Sequence, residues 1–161
     1  AIPGVRGGGI GWDYVLVAID DCSRLSYAEV LADERGETVA AFLRRARRWY
    51  ARRGVRIERV LTDNGSAYRS HVVAAACRAL QIAQRWTRPY RPQTNGKAER
   101  FIQTLLREWA YARPYATSFA RQVALPAWLH HYNWHRPHGG IHGCPPISRV
   151  VSADNLVSLH T

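Results

Sequence analysis

The chain has 161 residues, of which 47% are apolar and 22% are charged, and it carries a net charge of +11. This length and composition predict a single globular domain with a core and argue against a second full domain. No apolar run approaches the roughly 20 residues of a spanning helix, and the first residues lack the features of a signal peptide. We therefore expect a cytoplasmic protein with no membrane partner, and the positive charge indicates nucleic acid as the partner.

Strands and helices alternate along the first half of the chain. The β-branched and aromatic residues 12–19 follow a glycine-rich lead and predict a strand, and residues 25–31 are its expected hairpin partner. From Thr38 to Gly54, apolar residues recur at helical spacing and arginines fill the other faces. We interpret these arginines as a solvated face in preference to a DNA track, because the opposite face is so clearly apolar.

The later segments continue the alternation and indicate a mixed α/β domain. We predict strands over residues 57–61 and 82–86, a helix over 70–80 between them, and a loop over 87–95. A long helix follows near Ala98. Residues 119–135 are helical in pattern but contain Pro126, which either kinks that helix or begins a second one. A loop rich in His, Gly and Pro over residues 137–146 is expected to end the compact part.

Two carboxylates stand out, one just before and one within the strongly basic stretch of residues 64–161. Asp63 follows a predicted strand, Glu99 lies in the first turn of the long helix, and 35 residues separate them. Carboxylates are the oxygen ligands that magnesium prefers, and paired metal ions catalyse phosphodiester transfer. The string that begins at Asp63 could instead serve only as a turn or helix cap. The second motif, the spacing and the basic surroundings together favour the metal site.

Three segments of the chain are distinctive: Thr62-Asp63-Asn64-Gly65-Ser66, Pro92-Gln93-Thr94-Asn95-Gly96-Lys97-Ala98-Glu99-Arg100 and Tyr132-Asn133-Trp134-His135-Arg136-Pro137-His138. Together they resemble the catalytic core of retroviral-integrase-type (DDE) transposases of bacterial insertion sequences. The resemblance implies a ribonuclease-H-like mixed sheet flanked by helices, and a triad of two aspartates and a glutamate that holds two Mg²⁺ or Mn²⁺ ions. Asp63 matches the second aspartate, and Glu99 matches the glutamate.

The resemblance also implies DNA cleavage and strand transfer at transposon ends, a homo-oligomer on DNA, a nucleoid-associated location and no nucleotide cofactor. It divides the domain into an integrase-like catalytic core over residues 1–115, and a C-terminal helical extension with its loop over 116–161. Two alternatives are a non-catalytic DNA-binding remnant and a structure-specific nuclease of the same fold. Strand-transfer products would separate a transposase from a nuclease.

The first aspartate of the triad has no clear match in the chain. In the resembling family it lies on an opening strand that precedes the run matching residues 12–20, so we expect it upstream of Ala1 and expect the opening strand to be missing from this chain. Asp20 is a weak substitute, because it lies at the end of what resembles the second strand. Asp13 is weaker still. For both residues the commoner case is an aspartate that caps a turn or meets solvent.

Five polar residues around the carboxylates are the candidates for contact with DNA: Asn64, Gln93, Asn95, Lys97 and Arg100. Lys97 is the only lysine, which favours a functional role, although a solvated lysine is an equal alternative. Gln93 and Asn95 carry amides that could bind phosphates or base edges, or could simply form a polar loop. Arg100 or Arg107 could supply the basic residue that integrases often carry after the glutamate.

Histidines and cysteines raise the alternative of zinc. The histidines near the end of the chain show no complete ligand pattern, which makes zinc the weaker interpretation. These residues are His130, His131, His135, His138, His142 and Cys144. The chain has three cysteines, Cys22, Cys77 and Cys144, which are too far apart to predict a disulfide framework.

Overall fold

A computed structural model describes residues 2–6, 9–87, 96–150 and 155–160 of the chain. Its first three strands are antiparallel neighbours, with β2 pairing with both β1 and β3. The predicted hairpin is confirmed, although β2 begins earlier than expected, within the glycine-rich lead. The three strands are β1 (Ile2–Arg6), β2 (Gly9–Asp20) and β3 (Ser26–Leu31).

The next four elements follow the predicted order of helix, strand, helix and strand. A turn in which Gly54 has φ +77° follows the first helix, and this left-handed conformation favours glycine. Ser70 caps the second helix, because its Oγ accepts a hydrogen bond from the Val73 amide at 3.3 Å. The four elements are α1 (Gly36–Ala51), β4 (Ile57–Thr62), α2 (His71–Ala79) and β5 (Ala83–Trp86).

The helices of the second half are α3 (Gly96–Leu105) and α4 (Ser118–Trp134). A π-helical turn, Leu106–Ala110, continues α3. Pro126 lies inside α4, which is one continuous helix. The alternative in which Pro126 begins a second helix is therefore wrong. Short 3₁₀ turns follow at Gly139–Ile141 and Pro146–Arg149.

A strand that the sequence does not predict, β6 (Asn155–His160), lies in the middle of the sheet. It pairs antiparallel with β2 and parallel with β4, and β4 pairs parallel with β5. The loop over residues 137–146 therefore does not end the compact part of the molecule. The strand order is β1-β2-β6-β4-β5. Strand β3 also pairs with β2, on the edge opposite β6.

The sheet buries a separate cluster of apolar side chains on each face, and β2 contributes to both. Leu16 and Ala18 pack with α1 and α2, whereas Val15, Val17 and Ile19 pack with α3 and α4. This alternation is the period of two expected of a strand that is buried on both faces. The domain is thus a three-layer structure in which α3 lies on the face opposite α1.

Buried polar contacts fix α4 against the strands. Arg121 Nη2 lies 2.7 Å from the Asp13 carboxylate, in an ion pair whose side chains are 9% and 1% exposed. The Asn133 amide accepts a hydrogen bond from the Ser26 amide at 2.8 Å and donates one to its carbonyl at 2.7 Å. These contacts join segments far apart in the sequence, so α4 belongs to the same packed unit as β2 and β3.

The three cysteines are free thiols, as predicted, with Cys77 buried and the other two exposed. Within the described residues, none of the helices is both long and apolar enough to cross a membrane.

Candidate active site

Asp63 lies immediately after β4, at the carboxyl end of the strand. Thr62, the last residue of the strand, is buried, and its carbonyl accepts a hydrogen bond from the Thr87 amide at 2.9 Å. The Oδ1 atom of Asp63 accepts a hydrogen bond from the Gly65 amide at 2.7 Å. A Cβ at Gly65 would approach this oxygen to 2.9 Å, so glycine permits the tight turn. The turn holds the carboxylate at a fixed place on the edge of the sheet.

Asn64 secures the loop that carries this carboxylate. Its Nδ2 donates a hydrogen bond to the Thr87 carbonyl at 3.0 Å, just beyond the end of β5. This contact ties the loop after β4 to the neighbouring strand. The contact of Asn64 with DNA remains a prediction.

Glu99 is exposed in the first turn of α3, on a helix that is firmly packed. Ala98 and Phe101 of this helix are each 1% exposed and belong to the same buried cluster as Val17 of β2. The helix also lies against β6, which is the neighbour of β4 in the sheet. Asp63 therefore lies at the end of β4, and Glu99 lies on a packed helix that covers the neighbouring strands β2 and β6.

Asp20 does not join this pair. It pairs with Val157 of β6, which pairs with Val60 of β4, so it lies about 10 Å below the level of Asp63 along the strands and two strands away. Its carboxylate is fully buried and accepts hydrogen bonds from the amide and hydroxyl of Ser23. Burial raises the pKa of Asp20. This aspartate caps the turn after β2, which is the alternative role considered for it.

Asp13 is also engaged in contacts away from Asp63 and Glu99. It is buried in the ion pair with Arg121 and also accepts a hydrogen bond from the Ser118 hydroxyl. Its role in the structure is to join β2 to α4.

The candidate residues fit a divalent metal ion in chemistry but do not complete a site by themselves. Asp63 and Glu99 supply carboxylate oxygens, which suit Mg²⁺ or Mn²⁺. Among the described residues, no group of three acids, histidines or cysteines could hold a metal ion. This applies to the zinc alternative as well, although His130 and His135 bring ring nitrogens within 3.3 Å of each other.

A basic pocket of about 470 Å³ lies beside α3. Its walls come from the turn after β2, from α3 with its π-helical turn, and from the segment after α4. Five positively charged side chains line it. They are Arg24, Lys97, Arg100, Arg107 and Arg136. His138 and the glycines Gly139 and Gly140 also line the pocket.

Two acids hold most of these cations in place. Asp21 forms ion pairs with Lys97 and, at 3.7 Å, with Arg24, and its carbonyl accepts a hydrogen bond from Lys97 Nζ at 3.2 Å. Glu108 accepts hydrogen bonds from Arg136 Nη2 at 2.8 Å and Nε at 3.0 Å. The same carboxylate lies 3.3 Å from Arg107 Nη2. The Arg136 guanidinium lowers the pKa of Glu108, which therefore stays ionised.

Sequence reasoning found part of this pocket. It selected Lys97 and Arg100 as DNA contacts, and both line the pocket, although contact with DNA remains a prediction for each. It did not select Arg24 or Arg136 individually, although Arg136 lies in one of the segments that carry the family resemblance. The predictions for Gln93 and Asn95 lie outside the described residues.

Comparisons with known proteins agree with this architecture. Two family profiles, each described as Integrase core domain, match residues 3–92 and 80–146. The catalytic core domain of BIV integrase is similar with a TM-score of 0.64 and 26% identity over 84% of each chain. A chain of the simian T-cell lymphotropic virus intasome, solved with PP2A regulatory subunit B56 gamma, gives a TM-score of 0.68 and 25% identity. That match covers 88% of this chain and 49% of the other. The predicted ribonuclease-H-like fold is confirmed.

Proposed function

The chain belongs to the Integrase core domain family, and we propose that it is the catalytic core of a DDE-type transposase. The reaction is cleavage of phosphodiester bonds at transposon ends, followed by attack of the freed 3′ hydroxyl on target DNA. Both steps are displacements at phosphorus, so one site can serve both. Enzymes of the family are polynucleotidyl transferases that generally depend on divalent metal ions.

Asp63 and Glu99 are the residues that would hold these ions. Bound Mg²⁺ or Mn²⁺ would activate the attacking oxygen and stabilise the leaving oxygen. The hydrogen bond from the Gly65 amide orients the Asp63 carboxylate, and the packed face of α3 fixes the backbone that carries Glu99. A third oxygen ligand is still required, and neither Asp13 nor Asp20 is proposed for that role, because both carboxylates are buried in other contacts.

DNA is the proposed partner, and a homo-oligomer assembled on paired ends is the proposed working form. The excess of positive charge supports a polyanion, and the similarity to a chain of an intasome supports assembly on DNA. Asn64, Lys97 and Arg100 are the proposed contacts among the described residues. Gln93 and Asn95 are proposed for the loop that precedes α3. ATP is not needed for this chemistry.

The observation that carries the proposal is the match to the Integrase core domain profiles, one over the segment that contains Asp63 and the other over the segment that contains Glu99. The proposal is tested by nicking of a labelled DNA duplex in the presence of Mn²⁺. We expect Glu99→Gln and Asp63→Asn each to lower the rate by about 100-fold or more, because each removes a charged metal ligand. Asparagine at position 63 can still accept the hydrogen bond from the Gly65 amide, so the turn is kept.

A matched control separates the loss of a ligand from the loss of any exposed acid. Glu37 occupies the first turn of α1 as Glu99 occupies that of α3, and both are exposed. The Glu37→Gln variant should nick DNA at the wild-type rate. Equal nicking by Glu99→Gln and Glu37→Gln would contradict the proposed site.

One observation favours a second candidate, the non-catalytic DNA-binding remnant. The described residues contain no group of three metal-binding side chains. Binding of DNA without nicking by the wild-type chain would support this candidate. Nicking without strand-transfer products would instead indicate a nuclease of the same fold.

A further inference from the structure

We propose that the basic pocket beside α3 seats a backbone phosphate of the DNA strand, on the flank of the helix opposite Glu99. The proposal rests on DNA being the substrate of the proposed function. It adds a second binding position, distinct from the carboxylates, and assigns roles to Arg24, Arg107 and Arg136.

The two flanks of α3 follow from the helical period. Ala98 is 1% exposed and faces the core. Lys97 precedes it and Glu99 follows it, and each step along a helix turns the direction of the side chain by about 100°. Lys97 and Glu99 are therefore directed to opposite sides of the helix. Lys97 and Arg100 line the basic pocket, whereas Glu99 does not.

The charges of the pocket leave an excess for a ligand. Five cationic side chains line it, and two acids, Asp21 and Glu108, form ion pairs with four of them. The formal excess is therefore three positive charges. Burial lowers the pKa of His138, so its ring does not add to this charge at neutral pH. Such an excess at a concave surface attracts phosphates more strongly than the same charges on a convex one.

The two acids also prepare the pocket for binding. Glu108 holds the Arg136 guanidinium through two hydrogen bonds, which fixes the orientation of the planar group. Glu108 occupies the Nε–Nη2 edge of the guanidinium, so the Nη1–Nη2 edge is the one left for a phosphate, and a group that is already oriented loses less freedom on binding. Arg107 forms an ion pair with the same Glu108 carboxylate, and the Arg107 side chain is 74% exposed. It can therefore reach a phosphate without breaking a buried contact.

The glycines of the third wall leave space for the strand. A Cβ at either Gly139 or Gly140 would meet no atom within 4 Å. Neither residue has the positive φ that would strain a larger side chain. This wall therefore leaves open space at the two glycines, next to the arginines that line the same pocket, and a phosphodiester can enter there.

The test measures DNA binding without catalysis, in EDTA, as a function of salt concentration. We expect Arg107→Gln to weaken the binding of a short labelled duplex. It should also reduce the slope of log K against log salt by about one, the value for one lost phosphate contact. Arg44→Gln is the matched control, because Arg44 is equally a surface arginine but lies on α1. It should leave the slope close to the wild-type value.

A second variant tests the shape of the pocket without altering its charge. Gly140→Phe places a bulky side chain in the open space, and we expect weaker binding with all five cations still present. Thermal unfolding should show that each variant is folded. Equal losses for Arg107→Gln and Arg44→Gln, or full binding by Gly140→Phe, would overturn the proposal. Because binding in EDTA does not depend on Asp63 or Glu99 as metal ligands, failure here is distinguishable from failure of the nicking test.

Discussion

The arginines of α1 and those around α3 and α4 are chemically identical but differ in their surroundings. On α1, residues such as Arg44 and Arg48 are exposed on the outer side of a helix whose opposite face is buried. Around α3 and α4, Arg136 is held by an acid at the wall of a pocket, and Arg121 is buried against Asp13. The net charge of the chain alone therefore does not locate a binding surface.

The difference shows what distinguishes a placed cation from a solvated one. On the α3 side, single carboxylates each hold two cations, and the surface is concave. On α1, Arg45 pairs with Glu29 at the surface, and in the turn that follows α1, Arg53 lies 3.6 Å from the centre of the Trp49 ring. Most of the α1 arginines are exposed, which fits both a solvated face and a DNA track, so the preference for a solvated face remains a prediction.

The strongest test of this difference replaces an arginine on each side with methionine. Arg121→Met should lower the free energy of unfolding by about 3–5 kcal/mol, because the buried Asp13 carboxylate would lose the positive charge of its ion pair. Arg44→Met should change it by no more than about 0.5 kcal/mol. Urea unfolding of both variants measures the two values. Similar losses would mean that the arginines of the two sides do not differ in structural role.

A smaller effect is expected from Asp20, a buried carboxylate at the end of β2, the strand that both sides share. Burial raises its pKa in the folded chain, so its contribution to stability is fully present below the unfolded pKa and is lost as pH rises through the folded pKa. We expect Asp20→Asn to remove this loss, so that the variant gains stability relative to wild type as pH rises from about 4 to neutrality. Urea unfolding across this range measures the change. A constant difference would show that Asp20 does not titrate abnormally.

The smallest effect is expected on α1. Arg45 forms a bidentate contact with Glu29, but its side chain is 44% exposed. Arg45→Gln should therefore lower the free energy of unfolding by only about 0.2–1 kcal/mol, and less at high salt. Thermal unfolding at low and high salt is the measurement. A loss as large as that of Arg121→Met would remove the distinction between the two sides.

The elements that the sequence predicts correctly are those with a local signal. The spacing of Phe42, Leu43 and Ala46 shows a helix without reference to any other segment, and all three are buried. The hairpin of β2 and β3 is equally local. By contrast, β6 becomes part of the sheet through its pairing with both β2 and β4, and a short run such as Asn155–His160 carries little signal of that kind.

The residues of the candidate site fall into the same two groups, those with a local signal in the sequence and those that depend on distant partners. Asp63 and Glu99 can be selected from their strings, because turn chemistry and helical position are local features. The buried ion pair of Asp13 and the pocket position of Arg24 depend on partners far away in the sequence. Such partners are set by packing, so they become visible only when the layers of the fold are assembled.

The central position of β6 also constrains how the chain folds as it leaves the ribosome. Among the described strands, β6 is synthesised last, yet it lies between β2 and β4. Until it emerges, the edges of both neighbours present unpaired backbone groups, which are templates for association with other chains. Pairings this distant in sequence form slowly. A nascent chain would therefore hold its two halves of the sheet apart until the final strand joins them, and chaperone binding would be most useful during that interval.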